Sequence, residues 1–167
     1  MAIDNAAIVL TTRALRDALG RFTTGVTIIT CIGANGERVG LTANSFNALS
    51  LEPPLVLWSL RSPGSNTDAF RQARHFAVNV LAESQVDLSR RFASKEDDKF
   101  GAGQWSEGAG GAPVLAGCVA VFECETASHQ NAGDHVLFIG RVLAVMDAPL
   151  PPLVFQAGHY RLLGEVL

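Results

Sequence analysis

A chain of 167 residues carrying a formal net charge of −3, with 48% apolar and 17% charged residues, offers no basic footprint for nucleic acid. It has no lysine or arginine run suited to a membrane surface, and no apolar run nears the roughly 18 residues that span a bilayer. The charged fraction lies below the roughly 25% of an average domain, which predicts a homodimer covering shared apolar surface. The expectation is one domain over residues 1–167, placed in the cytoplasm because Met1-Ala2-Ile3-Asp4-Asn5 lacks a leader's basic and apolar segments. Cys31, Cys118 and Cys124 form an odd set without Cys-x-x-Cys spacing, which argues against a disulfide framework and a zinc site, and no metal is expected.

The elements follow in chain order. Residues 13–22 place Leu15, Ala18, Leu19 and Phe22 at helical spacing, and Gly25 ends the pattern. Residues 26–32 are β-branched and apolar, and Ala34-Asn35-Gly36-Glu37 turns them into a second strand over residues 39–44. In that strand Val39, Leu41 and Ala43 face one side while Gly40, Thr42 and Asn44 face the other, before Ser45 and Asn47 enter a loop. This is either a strand end with ordinary turn formers or a docking edge for a planar heteroaromatic such as an isoalloxazine.

After Pro53-Pro54, residues 55–60 read as a strand buried on both faces. Ser65-Asn66-Thr67-Asp68 reads as a capping box opening a helix to Arg74, with Ala69, Phe70 and Ala73 inward. Ser62-Pro63-Gly64-Ser65-Asn66-Thr67 could equally cradle a phosphate on free N–H groups, with Arg61 adding charge. Residues 76–82 alternate as a strand except for Asn79, whose amide needs partners from a backbone loop or a ligand rim. A further helix starts at Ser84-Gln85-Val86-Asp87 and runs through Leu88, Arg91 and Phe92. Residues 95–111 mix charges, glycines and Trp105, which predicts a mobile loop and a candidate lid. Strands at 119–126 and 136–146 are joined by residues 127–135, and residues 153–163 close the chain with a short loop and a last strand. These strands, not separated by crossover helices, favour a closed antiparallel barrel.

Gly101-Ala102-Gly103 follows a charged stretch rather than a strand, so a Rossmann unit fails on context. There is no Gly-x-Ser-x-Gly and no His-Glu-x-x-His, and Glu96-Asp97-Asp98 reads as a solvated charge run. His135 and His159 stand at strand ends, where surface or capping roles compete with catalysis. The constellation suits a cofactor that brings its own reactivity.

Taken together, Gly25-Val26-Thr27-Ile28-Ile29-Thr30, Gly40-Leu41-Thr42-Ala43-Asn44-Ser45-Phe46, Leu51-Glu52-Pro53-Pro54-Leu55-Val56, the stretch from His75 to Ala82, Arg91-Phe92-Ala93, Gly133-Asp134-His135 and Gly158-His159-Tyr160 resemble the flavin reductase-like family over nearly the whole chain. The resemblance implies a six-stranded, dimeric, FMN-binding split barrel that reduces FMN or FAD with NADH or NADPH. Such a protein supplies reduced flavin to a flavin-dependent monooxygenase. By the same resemblance Thr42, Ala43, Asn44 and Ser45 line the isoalloxazine, while Ser62, Ser65, Asn66 and Thr67, with Arg61 nearby, hold the phosphate. Asn79 and Val80 sit beside the flavin, Arg91 and Phe92 lie near its ribityl-phosphate side, and His135 and Tyr160 border the nicotinamide pocket. His135 is then a nicotinamide positioner, since hydride transfer itself demands alignment rather than an acid or base. Two rivals share the pocket: a tight FMN carrier without reductase activity, and an interaction module that has lost its ligand.

Overall fold

The computed structural model describes residues 10–166, so the reading of Met1-Ala2-Ile3-Asp4-Asn5 lies outside the described residues. Helix α1 (Thr12–Leu19) starts on Thr11, whose hydroxyl accepts the Ala14 N–H at 3.0 Å as an N-cap should. Strand β1 (Thr24–Gly25) is followed by β2 (Thr27–Ile32) and β3 (Arg38–Ala43). Gly36, at φ 80°, makes the turn between β2 and β3, a conformation that costs glycine nothing.

Next come β4 (Asn47–Leu51), β5 (Pro54–Arg61), α2 (Thr67–Gln72), β6 (His75–Val80) and α3 (Val86–Ala93). The chain ends through β7 (Trp105–Glu107), β8 (Pro113–Leu115), β9 (Ala120–Ala132), β10 (His135–Asp147), β11 (Val154–Gln156) and β12 (His159–Arg161). No helix among the described residues is long and apolar enough to cross a membrane.

Seven strands form the main sheet in the order β3-β2-β6-β9-β10-β5-β4, each neighbour antiparallel. The protein is thus mainly β with short helices, but the hydrogen-bonded sheet is open and has seven strands, which corrects the closed six-stranded expectation. β3 and β5 approach each other without a ladder. Ser45, just past β3, spans the seam instead: its hydroxyl donates to the Ser59 carbonyl at 2.8 Å and accepts the Ser59 N–H at 3.0 Å. Phe46 reinforces the seam by resting on Phe122 of β9, with ring centroids 5.4 Å apart.

Alternation along the strands sends side chains to two apolar clusters. Ile29, Cys31, Val56, Trp58, Phe70, Phe76, Val78 and Phe138 share one, where Trp58 stacks on Phe138 at 4.6 Å and 13°. Ile28, Ala77, Leu81, Phe92 and Leu115 belong to the other, beneath α3 and the segment between β7 and β8. Burial lifts the thiols of Cys31, Cys118 and Cys124 to about 12, so none supplies a thiolate near neutrality.

Several expectations shift. β5 buries Val56 and Trp58 but leaves Leu55, Leu57 and Ser59 half-buried, so only one face is fully covered. Residues 127–132 are strand rather than linker: β9 and β10 pair up to the two-residue turn Gly133-Asp134. Exposure on both faces there removes the period-two signal that would have revealed them. Residues 95–111 fold into two 3₁₀ turns and β7, which pairs with β8, rather than forming an unstructured lid. Trp105 is the anchor, donating its indole N–H to the Ala102 carbonyl at 2.8 Å and packing on Phe92 and Phe100.

Candidate active site

Among the described residues β3 pairs only with β2, so on its outer side the peptide groups have no ladder partner there. The hydroxyls expected to face outward instead turn into the protein. Thr42 Oγ1 donates to the Ser89 carbonyl at 2.6 Å, and the Ser45 hydroxyl holds the seam to Ser59. The Ala43 carbonyl accepts from Thr27 Oγ1 at 2.7 Å. What the edge presents to a ligand is therefore main chain and the exposed Asn44 side chain.

That edge forms one wall of a cleft of about 960 Å³. Ser59 continues the wall; the segment from α1 to Thr24 and the β11–β12 turn, with Phe155 and Gln156, complete the lining. Thr24 Oγ1 is buried here without a hydrogen-bond partner among the described residues. An orphaned hydroxyl, free main chain and an aromatic wall fit a planar heteroaromatic with donors and acceptors along its rim. An isoalloxazine is such a group.

The phosphate turn lies beside a second cavity of about 560 Å³, lined by Gly40, Ser65, Asn66, Arg38, Lys95 and Lys99 among others. The expected capping box does not form. Asn66 is the residue before α2 and sits at φ −96°, ψ −9°, helical rather than extended, so its side chain makes no cap bond. Thr67 is buried and its hydroxyl donates to the Arg61 carbonyl at 3.3 Å, while the Ser62 N–H donates to the Asp134 carbonyl at 2.8 Å. Of the four residues expected around a phosphate, only Ser65 and Asn66 line the cavity. Lys99 donates to the Phe92 carbonyl at 3.1 Å, and its partial burial lowers its pKa.

Asn79 is a strut. It is 0% exposed, with its Nδ2 donating to the Ile28 carbonyl at 3.0 Å and to Thr30 Oγ1 at 3.3 Å, and its Oδ1 accepting the Leu115 N–H at 2.8 Å. Its amide is answered by backbone, which removes the ligand rim as the reason for a polar residue in that strand. Val80 packs half-buried against the Trp58 cluster. Arg91 anchors the next turn: its Nε donates to the Asp98 and Lys99 carbonyls at 3.1 and 3.2 Å, and its Nη1 meets Glu96 at 3.1 Å. Phe92 is buried edge-on to Phe100. A Cβ on Gly40 would stand 2.7 Å from the Phe92 ring, so glycine is what lets this aromatic group lie against β3. Neither Arg91 nor Phe92 lines that second cavity; they hold the turn and Phe100 that do, and the arginine's charge is already engaged.

His135 begins β10 directly opposite Arg61 of β5. Its Nδ1 lies 2.8 Å from Asp134 Oδ1, and this hydrogen bond holds the Asp134 carboxyl below the usual carboxylate range. Tyr160 bonds to the Ser89 hydroxyl at 2.8 Å and backs Phe155 edge-on, with centroids 5.5 Å apart. Neither His135 nor Tyr160 lines the cleft beside Asn44 and Ser45. Sequence reasoning missed Ser59, Ser89, Thr24 and Phe155. Ser59 carried a weak signal as a hydroxyl inside an apolar strand; Ser89 carried none.

The flavin reductase like domain model matches residues 19–164, and the chain belongs to that family. A Rhizobium meliloti protein described as a "Probable flavin reductase" is 44% identical over 158 residues, which are 93% of this chain and 51% of that protein. The chain therefore spans about half the length of that relative. The reductase subunit of a flavin-dependent monooxygenase of Mycobacterium tuberculosis is 40% identical over 151 residues, covering 89% of this chain and 80% of that one. The solved structure of a Streptomyces globisporus NADH:FAD oxidoreductase with NAD and FAD fragments is 36% identical, covers 95% of this chain and 98% of its own, and superposes with a TM-score of 0.88.

Proposed function

We propose that this chain is an NAD(P)H:flavin oxidoreductase that reduces FMN or FAD and passes the reduced flavin to a separate monooxygenase. The observation that carries the reading is the cleft at the β3 edge, where unpaired main chain, Asn44, an orphaned Thr24 hydroxyl and Phe155 meet. The family match and the relatives' names support it. When bound, the flavin supplies the two-electron chemistry, accepting hydride from the nicotinamide.

The chain's own residues bind and align. Main-chain groups from Thr42 to Ser45 and the Asn44 amide satisfy the ring's rim, and donors placed where negative charge develops favour the reduced product. Phe155 shields one side of the cleft from water. Ser65 and Asn66, with the cations Arg38 and Lys95, receive the phosphate. His135, oriented by Asp134 and outside the cleft of its own chain, positions the nicotinamide in the dimer and moves no proton.

A single copy leaves this site open, and the homodimer is part of the proposal. None of α1 is buried, and Leu19 and Phe22 are 65% and 72% exposed at the cleft. Leu143, Val145 and Met146 of β10 are exposed as well. Apolar surface of that extent fits a second copy that turns the open sheet into a dimeric split barrel, with residues 1–167 as one domain. The reaction places the protein in the cytoplasm, beside its supply of reduced nicotinamide.

Initial rates with the four pairings of NADH or NADPH with FMN or FAD test the function. At least one pairing will oxidise nicotinamide at a rate that depends on flavin concentration. Flavin binding with no turnover in any pairing would favour the carrier reading, and no flavin affinity would favour the interaction module.

A further inference from the structure

Both walls of the cleft hang from one buried serine. Ser89 lies in α3 with 0% of its surface exposed. Its carbonyl accepts the Thr42 hydroxyl at 2.6 Å, and its own hydroxyl meets the Tyr160 hydroxyl at 2.8 Å. Thr42 stands two residues before Asn44 on the strand whose end forms one wall. Tyr160, the chain's single tyrosine, pairs with Phe155 across β11 and β12 and supports that ring from behind, and Phe155 lines the opposite wall. The Arg90 guanidinium, 5.5 Å from the Tyr160 ring centroid, covers the phenol from the next residue of α3. Alanine is the better helix former at a buried helical position, so what serine adds at residue 89 is its bond to Tyr160.

We propose that Ser89 is a positioning residue for hydride transfer: it fixes the separation between the β3 edge that receives the flavin's rim and the opposite Phe155 wall of the same cleft, and with it the gap left for the nicotinamide. This rests on the reductase reading above. Near-attack geometry is sensitive to shifts of about 1 Å, and a wall that loses its tether lowers the fraction of productive nicotinamide encounters before it alters the flavin's own contacts. Ser89 touches neither reactant. It acts through Tyr160 and Phe155.

The test is a double-mutant cycle on the full chain with Ser89→Ala, Tyr160→Phe and the pair. Each single variant will raise the KM for NADH about fivefold with kcat held within about twofold, and the double variant will be no worse than either single. The Kd for FMN, read from quenching of its fluorescence, will stay within about twofold of the parent value. Flavin-free protein will melt roughly 2–4 °C lower in each single variant, and the double will add nothing, because one shared bond is lost. An unchanged KM, additive effects in the double variant, or equal losses in kcat and FMN affinity would each overturn the positioning role. If the parent protein turns over no nicotinamide with any flavin, the reductase reading fails and takes this role with it. A working parent with unmoved variants sinks the positioning role alone.

Discussion

Asn79→Leu will destabilise the protein by about 2–5 kcal/mol, because it strands the buried Leu115 N–H and takes a donor from the Ile28 carbonyl and the Thr30 hydroxyl. Leucine has the same branched heavy-atom skeleton but is larger, so no cavity opens and the loss combines the missing hydrogen bonds with overpacking. The Leu115 N–H loses its acceptor at 2.8 Å, and the Ile28 carbonyl and Thr30 hydroxyl lose a donor at 3.0 and 3.3 Å, in a region without solvent. Each orphaned group costs about 1–3 kcal/mol against a total stability of about 5–15 kcal/mol. Urea unfolding will show a lower midpoint at an unchanged slope. A shift under about 0.5 kcal/mol, with flavin affinity lost instead, would mean that Asn79 serves a ligand and not the fold.

Ser45→Ala will weaken FMN about tenfold, equivalent to about 1.4 kcal/mol. The hydroxyl bridges the gap where β3 meets β5 without a ladder, acting as both donor and acceptor to Ser59. Without it the Ser59 N–H and carbonyl are unanswered, and the main chain of residues 42–45 loses its fixed distance from β5. Preorganised donors bind because they need no rearrangement, so a looser edge gives up affinity even though no ligand contact is deleted. Ser45→Thr keeps the hydroxyl and will retain most of the affinity. Fluorescence quenching measures both variants, and an alanine variant equal to the parent would show that the edge holds its geometry without the seam.

β2 and β6, buried on both faces, were legible as apolar, β-branched runs, the start of β10 alternates because one of its faces is buried, and the β2–β3 turn announces itself at Gly36. β4 was not legible: its burial is exposed at four of five positions, so no face is marked. β1, β11 and β12 are two or three residues long, too short for any period to register. Closure of the sheet was misjudged because pattern shows strands and not their ends. Here a side chain, Ser45, joins what a ladder does not.

Of the candidate site, the residues marked by a motif that line its two cavities are Asn44, Ser45, Ser65 and Asn66, and the family resemblance supplied their order. The site was illegible where the partners are remote. Ser89 joins residues 47 and 71 positions away, and nothing in its own neighbourhood separates it from any polar residue on a helix. Asn79 illustrates the intermediate case. Its need for partners was evident from the apolar strand around it, but whether Leu115 or a ligand answered that need depended on the fold.

The central claim is that the cleft at the β3 edge takes a flavin and lets it accept hydride. Anaerobic rapid mixing of the FMN-loaded protein with NADH, followed in the flavin's visible absorption, tests it most directly. The account predicts single-turnover bleaching that saturates with NADH and slows in Ser45→Ala. A well-folded protein that binds FMN and keeps its colour under excess NADH and NADPH would contradict it.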